Sequence, residues 1–235
     1  MARWPDGPMP YVPCYHRISR MDQHVVVIIY EVIAFVFAIC VHESAHAWTA
    51  NKCGDPTARM LGRITLNPIK HVDPIGTILV PAIGMLSGFG FVGWAKPTPV
   101  DPRHFKHQIR DDILTSLAGP ASNFIIALIA AIGLEILVLS VGRRNVAPDS
   151  GVAAVFVLLR VFVEINLLLL AFNLIPVPPL DGSHVLRHFL PEGARRIYDT
   201  VGMFALIVLF LFGGPVIGLF LSPFLNFFTY ILMRI

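Results

Sequence analysis

The sequence predicts an all-α polytopic membrane protein with about five to six transmembrane or re-entrant segments and short extended strands near one polar centre. Three observations predict it. Of the 235 residues 55% are hydrophobic and only 14% charged, too apolar for a soluble globular domain. Apolar runs at residues 25–50, 113–141 and 151–174 each match the roughly 20 residues that a membrane-crossing helix needs. Prolines and glycines gather between or at the ends of these runs, where non-helical backbone has to be buried or line water.

The net charge of +3 is small, and Lys and Arg fall in the polar connections. That is the bias of cytoplasmic loops and gives no sign of nucleic acid as a partner. Cys14, Cys40 and Cys53 are odd in number and form no C-x-x-C pair, so neither a disulfide framework nor a cysteine metal site is expected. Cys40 is read as apolar packing.

Residues 1–24, with Pro5, Pro8, Pro10 and Pro13, lack the apolar core and cleavage site of a signal peptide and read as a flexible tail. Residues 25–235 then form a single membrane-embedded domain. The first span runs over 25–50 and carries His42-Glu43-Ser44-Ala45-His46, the pattern H-E-x-x-H. At about 100° per residue the two histidines lie within roughly 40° of each other, one turn apart, so both imidazoles reach one metal ion. Glu43 points off the side of that face, where it can take a proton from a water at the metal without joining the ligands. Ionisable groups at membrane depth are costly unless paired, metal-bound or facing water, which makes the cluster a functional candidate. Glu31 shares the face of His42 but lies about 16 Å along the axis, too far to share a metal.

Residues 51–73 are polar and turn-rich. Residues 58–66 alternate loosely like an exposed strand, and His71 is a conceivable third ligand, although a lone loop histidine is more often solvated. Residues 74–94 are apolar but hold Pro81, Gly84, Gly88, Gly90 and Gly93, which fits a span, a re-entrant piece, or a helix followed by extended chain. Gly93-Trp94-Ala95-Lys96-Pro97-Thr98-Pro99-Val100 has a proline spacing that forbids helix.

After a polar hinge at 101–112, the span 113–141 contains Gly119-Pro120, expected to kink or start the regular helix, and Asn123. That asparagine reads either as helix–helix glue or as a donor aimed at a reaction centre. In the span 151–174, Arg160 and Glu164 stand four apart and can neutralise each other within the bundle. Pro176, Pro178 and Pro179 stop that span and deliver Asp181 just beyond it. A carboxylate there is the natural third ligand. Residues 183–200 suggest a short surface helix, and 201–232 a kinked span with an interfacial piece or a hairpin.

Three landmarks thus stand in one order: His42-Glu43-Ser44-Ala45-His46, Ala118-Gly119-Pro120-Ala121-Ser122-Asn123, and Asn173 through Pro179-Leu180-Asp181-Gly182. Together they resemble the site-2 protease family of intramembrane zinc metalloproteases. The resemblance covers about residues 25–184, and the stretch from Gly93 to Pro97 looks like the compact prokaryotic branch without PDZ or CBS domains. It implies one zinc per chain on His42, His46 and Asp181, Glu43 as general base, and Asn123 helping to hold substrate or the oxyanion. Such a set leaves the fourth tetrahedral position open, as catalytic zinc sites require. The resemblance also implies cleavage of transmembrane protein substrates within the lipid bilayer, after a first cut by an upstream site-1-type protease. The strand-like pieces around Ile64 and Ala95 would hold an unwound substrate by strand addition.

The alternative is a metal transporter or metal-sensing membrane protein using the same residues without hydrolysis. Such a protein needs no base beside its first ligand and would carry acidic or histidine residues along several spans. Because Asp181 must reach His42 and His46, the first span and the span 151–174 should cross in the same direction, with the Asn123 helix opposed. The basic residues on both sides of 74–94 then fit a cytoplasmic side, in a multi-pass protein of the cytoplasmic membrane.

Overall fold

A computed structural model describes residues 20–80, 93–141 and 150–212, together with 218, 219, 222, 223, 226 and 227. Six α-helices lie among them: α1 (Arg20–Cys53), α2 (Thr57–Met60), α3 (Gln108–Val141), α4 (Gly151–Asn173), α5 (Asp181–Arg187) and α6 (Glu192–Phe212). The predicted helical fold is what is found. Among the described residues, three stretches are long and apolar enough to cross a membrane: Val25–Cys53, Gln108–Val141 and Gly151–Asn173. The remaining expected segments fall largely on 81–92 and beyond Phe212, outside the described residues or only partly within them.

Helices α1, α3 and α4 pack as a bundle. Thr115 of α3 meets His46 while Asn123, two turns on, meets His42, so α3 runs against α1. Asn123 meets Asn166 and Gly133 lies against Leu159, so α3 also runs against α4. The first span and α4 therefore run the same way, as the reach of Asp181 required. The Lys106 N–H donates to the Cys53 carbonyl at 3.1 Å, which sets the end of α1 beside the start of α3. Residues 54–107 thus leave and return at one end of the bundle.

Small residues bring the helices together. Ala127, Ala130 and Ala131 of α3 pack on Val163, Leu167 and Leu170 of α4, while Ala34, Phe35, Ala38 and Ile39 of α1 pack on Val161 and Ile165. Close approach of this kind is how helices associate in lipid, where neighbouring tails are as apolar as leucine. The outer face of α3 shows Ile125, Leu128, Ile129, Ile132, Ile136 and Leu139, all exposed. Water would not tolerate that stripe, whereas hydrocarbon solvates it.

Several local expectations are corrected. Helix α1 begins at Arg20, inside the stretch read as tail, and residues 1–19 lie outside the described ones. Gly119-Pro120 neither starts nor interrupts α3, which is continuous through both. The polar stretch 183–200 is divided between α5 and the first turns of α6, which runs on into the apolar stretch without a break at Val201. Arg160 and Glu164 do pair, Nε to Oε1 at 2.8 Å, but half-exposed on the flank of the bundle.

No β-strand occurs among the described residues. The alternating stretch near Ile64 is a turn, because Gly62 takes φ +65° and the buried Arg63 guanidinium is drawn to the carbonyls of Lys70 and Pro97. The stretch 93–100 is not helical, as its prolines require, and is tied down by single bonds rather than a ladder. Lys96 N–H reaches His71 O at 2.8 Å and Trp94 N–H reaches Gly76 O at 3.0 Å. Asp55 anchors the other end of the connection, fully buried, accepting from the N–H groups of Thr57 and Asp101. Burial alone would raise its pKa, but these bonds and His104 hold it below the usual carboxylate range.

Candidate metal centre

The helical spacing of four puts His42 and His46 one above the other on α1, with their rings 4.6 Å apart between centroids. The α3 face opposite repeats at the same spacing through Thr115, Gly119 and Asn123. His46 Nδ1 donates to the Thr115 carbonyl at 2.6 Å. A carbonyl only accepts, so the proton sits on Nδ1 and Nε2 offers its lone pair. His42 Nδ1 lies 2.6 Å from Asn123 Oδ1 and donates to it, which again frees Nε2.

Asp181, the first residue of α5, brings a carboxylate to the same point. Its Oδ2 lies 3.2 Å from His42 Nε2 and 3.3 Å from His46 Nε2, and the two Nε2 atoms are 3.0 Å apart. That oxygen is buried without a hydrogen-bond partner. With neutral imidazoles protonated at Nδ1, three lone-pair atoms face one another, a donor set suited to a cation. The triangle has the right size for one: arms of about 2.0–2.1 Å in a tetrahedral zinc site make edges of about 3.3–3.4 Å. Helix α3 leaves room for it because residue 119 is glycine. A Cβ there would stand 2.4 Å from His46 Nε2 and 2.6 Å from His42 Nε2, close to a metal–ligand distance from both.

Two further glycines let Asp181 arrive. A Cβ on Gly182 would strike the Leu174 carbonyl at 2.3 Å, and one on Gly202 of α6 would strike the Pro178 ring at 2.4 Å. The Tyr198 hydroxyl donates to Pro176 O at 2.9 Å and holds the proline loop against α6. From the other side of α5, His188 Nε2 pairs with Asp112 Oδ2 on α3 at 2.7 Å. The short helix bearing Asp181 is thereby clamped between α3 and α6.

Glu43 stands beside the triangle, nearly buried. Its Oε2 accepts from the Thr98 N–H at 2.8 Å, and its own carbonyl accepts from Thr98 Oγ1 at 3.0 Å. The extended stretch 93–100 therefore fixes the direction of this carboxylate. His71 is not with the other two histidines; the metal-capable group is His42, His46 and Asp181. Instead of being solvated it is fully buried, donating from Nε2 to Thr65 O at 2.7 Å, and it pins the loop over Ser44, whose hydroxyl also donates to Thr65 O.

Of the residues singled out in the sequence, His42, Glu43, His46, Asn123 and Asp181 are thus brought together. Asn123 is fully buried, its Oδ1 taken by His42 and its Nδ2 donating to Asn166 at 2.9 Å. Its amide bridges His42 on α1 and Asn166 on α4. Thr98, Thr115, Gly119 and Asn166 were missed. Asn166 carried a signal, as an uncharged polar residue deep in an apolar span, and Gly119 stood out only as part of an expected kink.

A bundle of apolar helices with a buried His-His-carboxylate triangle and an adjacent glutamate defines a membrane-embedded, metal-dependent hydrolase. The sequence matches Peptidase family M50 over residues 30–141 and 136–213. It is 41% identical to YwhC of Bacillus subtilis over 90% of either chain. It is 31% identical to Rip2 of Mycolicibacterium smegmatis, over 85% of this chain and 72% of the relative, and 30% identical to Rip2 of Mycobacterium tuberculosis, over 83% and 68%. The names of all three describe them provisionally as zinc metalloproteases. No solved structure matches the chain. The chain belongs to Peptidase family M50, the site-2 protease family that its motifs resemble.

Proposed function

We propose that this chain is a zinc endopeptidase that cuts peptide bonds within or near the transmembrane segments of membrane proteins, as a step of regulated intramembrane proteolysis. The observation that carries the reading is the place of the triangle on an apolar span. His46 lies seven residues before the end of α1 and His42 eleven, both inside the stretch Val25–Cys53, which is long and apolar enough to cross a membrane. A bond cut there belongs to a chain that is itself in the membrane.

His42, His46 and Asp181 would hold the ion, which when bound would supply Lewis acidity and lower the pKa of a water. Glu43, aimed by Thr98, is placed to accept a proton from an attacking water and to pass it to the leaving amine. Thr115 and Asn123 keep both ring protons on Nδ1, so that neither points at the ion. The substrate helix has to unwind before its carbonyl reaches this point. The stretch 93–100 supplies extended backbone next to Glu43 along which an unwound segment can lie.

The protein is read as one multi-pass domain, residues 25–235, in the cytoplasmic membrane, with the connection 54–107 on the cytoplasmic side. Its substrates are single-pass proteins already shortened by an upstream protease of the site-1 type. The transporter alternative would call for ligands along several spans, whereas the described residues bring together one metal-capable cluster. Purified protein should hold about one zinc. The metal should be lost in His46→Ala and Asp181→Ala and kept in Glu43→Gln, with proteolysis absent in all three. Zinc flux through proteoliposomes that survives Glu43→Gln would favour the transporter.

A further inference from the structure

The orientation of His42 can be traced through three hydrogen bonds to a backbone carbonyl on another helix. Phe162 O can only accept, so Asn166 turns its Nδ2 to it, at 2.8 Å. Asn166 Oδ1 then faces α3 and accepts from Asn123 Nδ2 at 2.9 Å. With its Nδ2 so used, Asn123 has only Oδ1 to offer His42, and His42 Nδ1 donates to it at 2.6 Å. The proton of His42 is thereby placed on Nδ1, leaving a lone pair on the Nε2 that lies 3.2 Å from Asp181. A flipped Asn123 would present Nδ2 to His42, drive the proton to Nε2 and aim it at the ion. Both asparagines are fully buried, so no solvent can replace a missing partner.

We propose that Asn166 is a positioning residue of the metal centre: it dictates which way the Asn123 amide faces, and through it the His42 tautomer that offers Nε2 to zinc. This rests on the zinc reading of the triangle. His46 needs no such relay, because Thr115 supplies a carbonyl directly. The two ligands differ in how they are held: one by backbone, the other by a side-chain relay that a single substitution can break.

The test measures zinc affinity of the purified full-length chain by competition with a chelator. Asn166→Leu removes the acceptor for Asn123 and should weaken zinc about tenfold or more, the usual range for an outer partner of a histidine ligand. An aspartate at 123 accepts from His42 whichever way it turns. In the Asn123→Asp background, Asn166→Leu should therefore leave zinc affinity where Asn123→Asp alone has it. A packing role for Asn166 would persist in both backgrounds. Asn166→Ala, which adds no bulk, should behave as Asn166→Leu does and replaces it if the leucine variant does not fold. Wild-type zinc affinity in Asn166→Leu or Asn166→Ala, or an equal loss with and without Asn123→Asp, overturns the proposal. Loss of zinc in His46→Ala alongside either result shows that the metal reading stands and only the relay fails. Zinc retained in His46→Ala removes both.

Discussion

Gly119→Ala adds one methyl group in the middle of α3 and should abolish function without unfolding the helix. A Cβ at this position stands 2.4 Å from His46 Nε2, 2.5 Å from His42 Cε1 and 2.6 Å from His42 Nε2. Carbon at ordinary contact needs about 3.5 Å, so the ring atoms must retreat by about 1 Å. Zinc sites hold their ligand distances to within about 0.2 Å, and the methyl also enters the space between the two nitrogens. Helix propensity pulls the other way, since alanine is better than glycine by about 1 kcal/mol in a helix interior. Helix content by circular dichroism should therefore be kept while chelator competition shows zinc loss, and kcat/KM should fall about 100-fold or more for a displacement of this size. Gly151→Ala, where a Cβ meets nothing within 4 Å, is the control and should keep both. Wild-type zinc affinity and turnover in Gly119→Ala would refute the placement of the ion beside α3.

Glu43→Gln should bind zinc as wild type does and lose about 10²–10⁴-fold in kcat, the range for a general base, read by zinc content and cleavage of a transmembrane peptide in proteoliposomes. Thr98→Pro deletes both the N–H that Glu43 Oε2 accepts from and the hydroxyl that donates to the Glu43 carbonyl; the bond to the carboxylate alone is worth about 1.5–3 kcal/mol, so kcat should drop about tenfold or more with zinc unchanged. His71→Ala should retain zinc while Asp181→Asn loses it, and the reverse pattern would hand the third ligand position to His71. In a chain without its three native cysteines, single cysteines at Asn67 and His107 should be protected together from an impermeant outside reagent while one at Asp149 reacts. Opposite labelling of the first two would contradict the shared end of α1 and α3.

The ligands were legible in the sequence because helix geometry turns the spacing of His42 and His46 into proximity, and because the three prolines before Asp181 announce a sharp exit from a span. The parity of the spans followed from the same requirement. What surrounds the ligands was not legible, for a physical reason. Thr115 acts through its carbonyl, which leaves no mark in residue type, and Gly119 stands out beside Pro120 as a helix breaker, with nothing in the sequence to show that the space it leaves faces two histidines. Thr98 reaches Glu43 across 55 residues of chain, with nothing local in the sequence to couple them. Asn123 was ambiguous between helix glue and donor; it bonds Asn166 as glue and His42 as acceptor. The alternation near Ile64 misled because Arg63 is buried by two carbonyl contacts rather than exposed on a strand.

The central claim is proteolysis inside the membrane by the residues of one triangle and Glu43, and the most direct measurement is a comparison of membrane proteomes. Cells carrying the wild-type chain are set against cells carrying Glu43→Gln at equal abundance. The account predicts that a shortened single-pass protein accumulates in the variant and is cleaved within its transmembrane segment in the wild type. Identical membrane proteomes, in cells where wild-type and variant chains both hold zinc and the upstream cut demonstrably occurs, would contradict it.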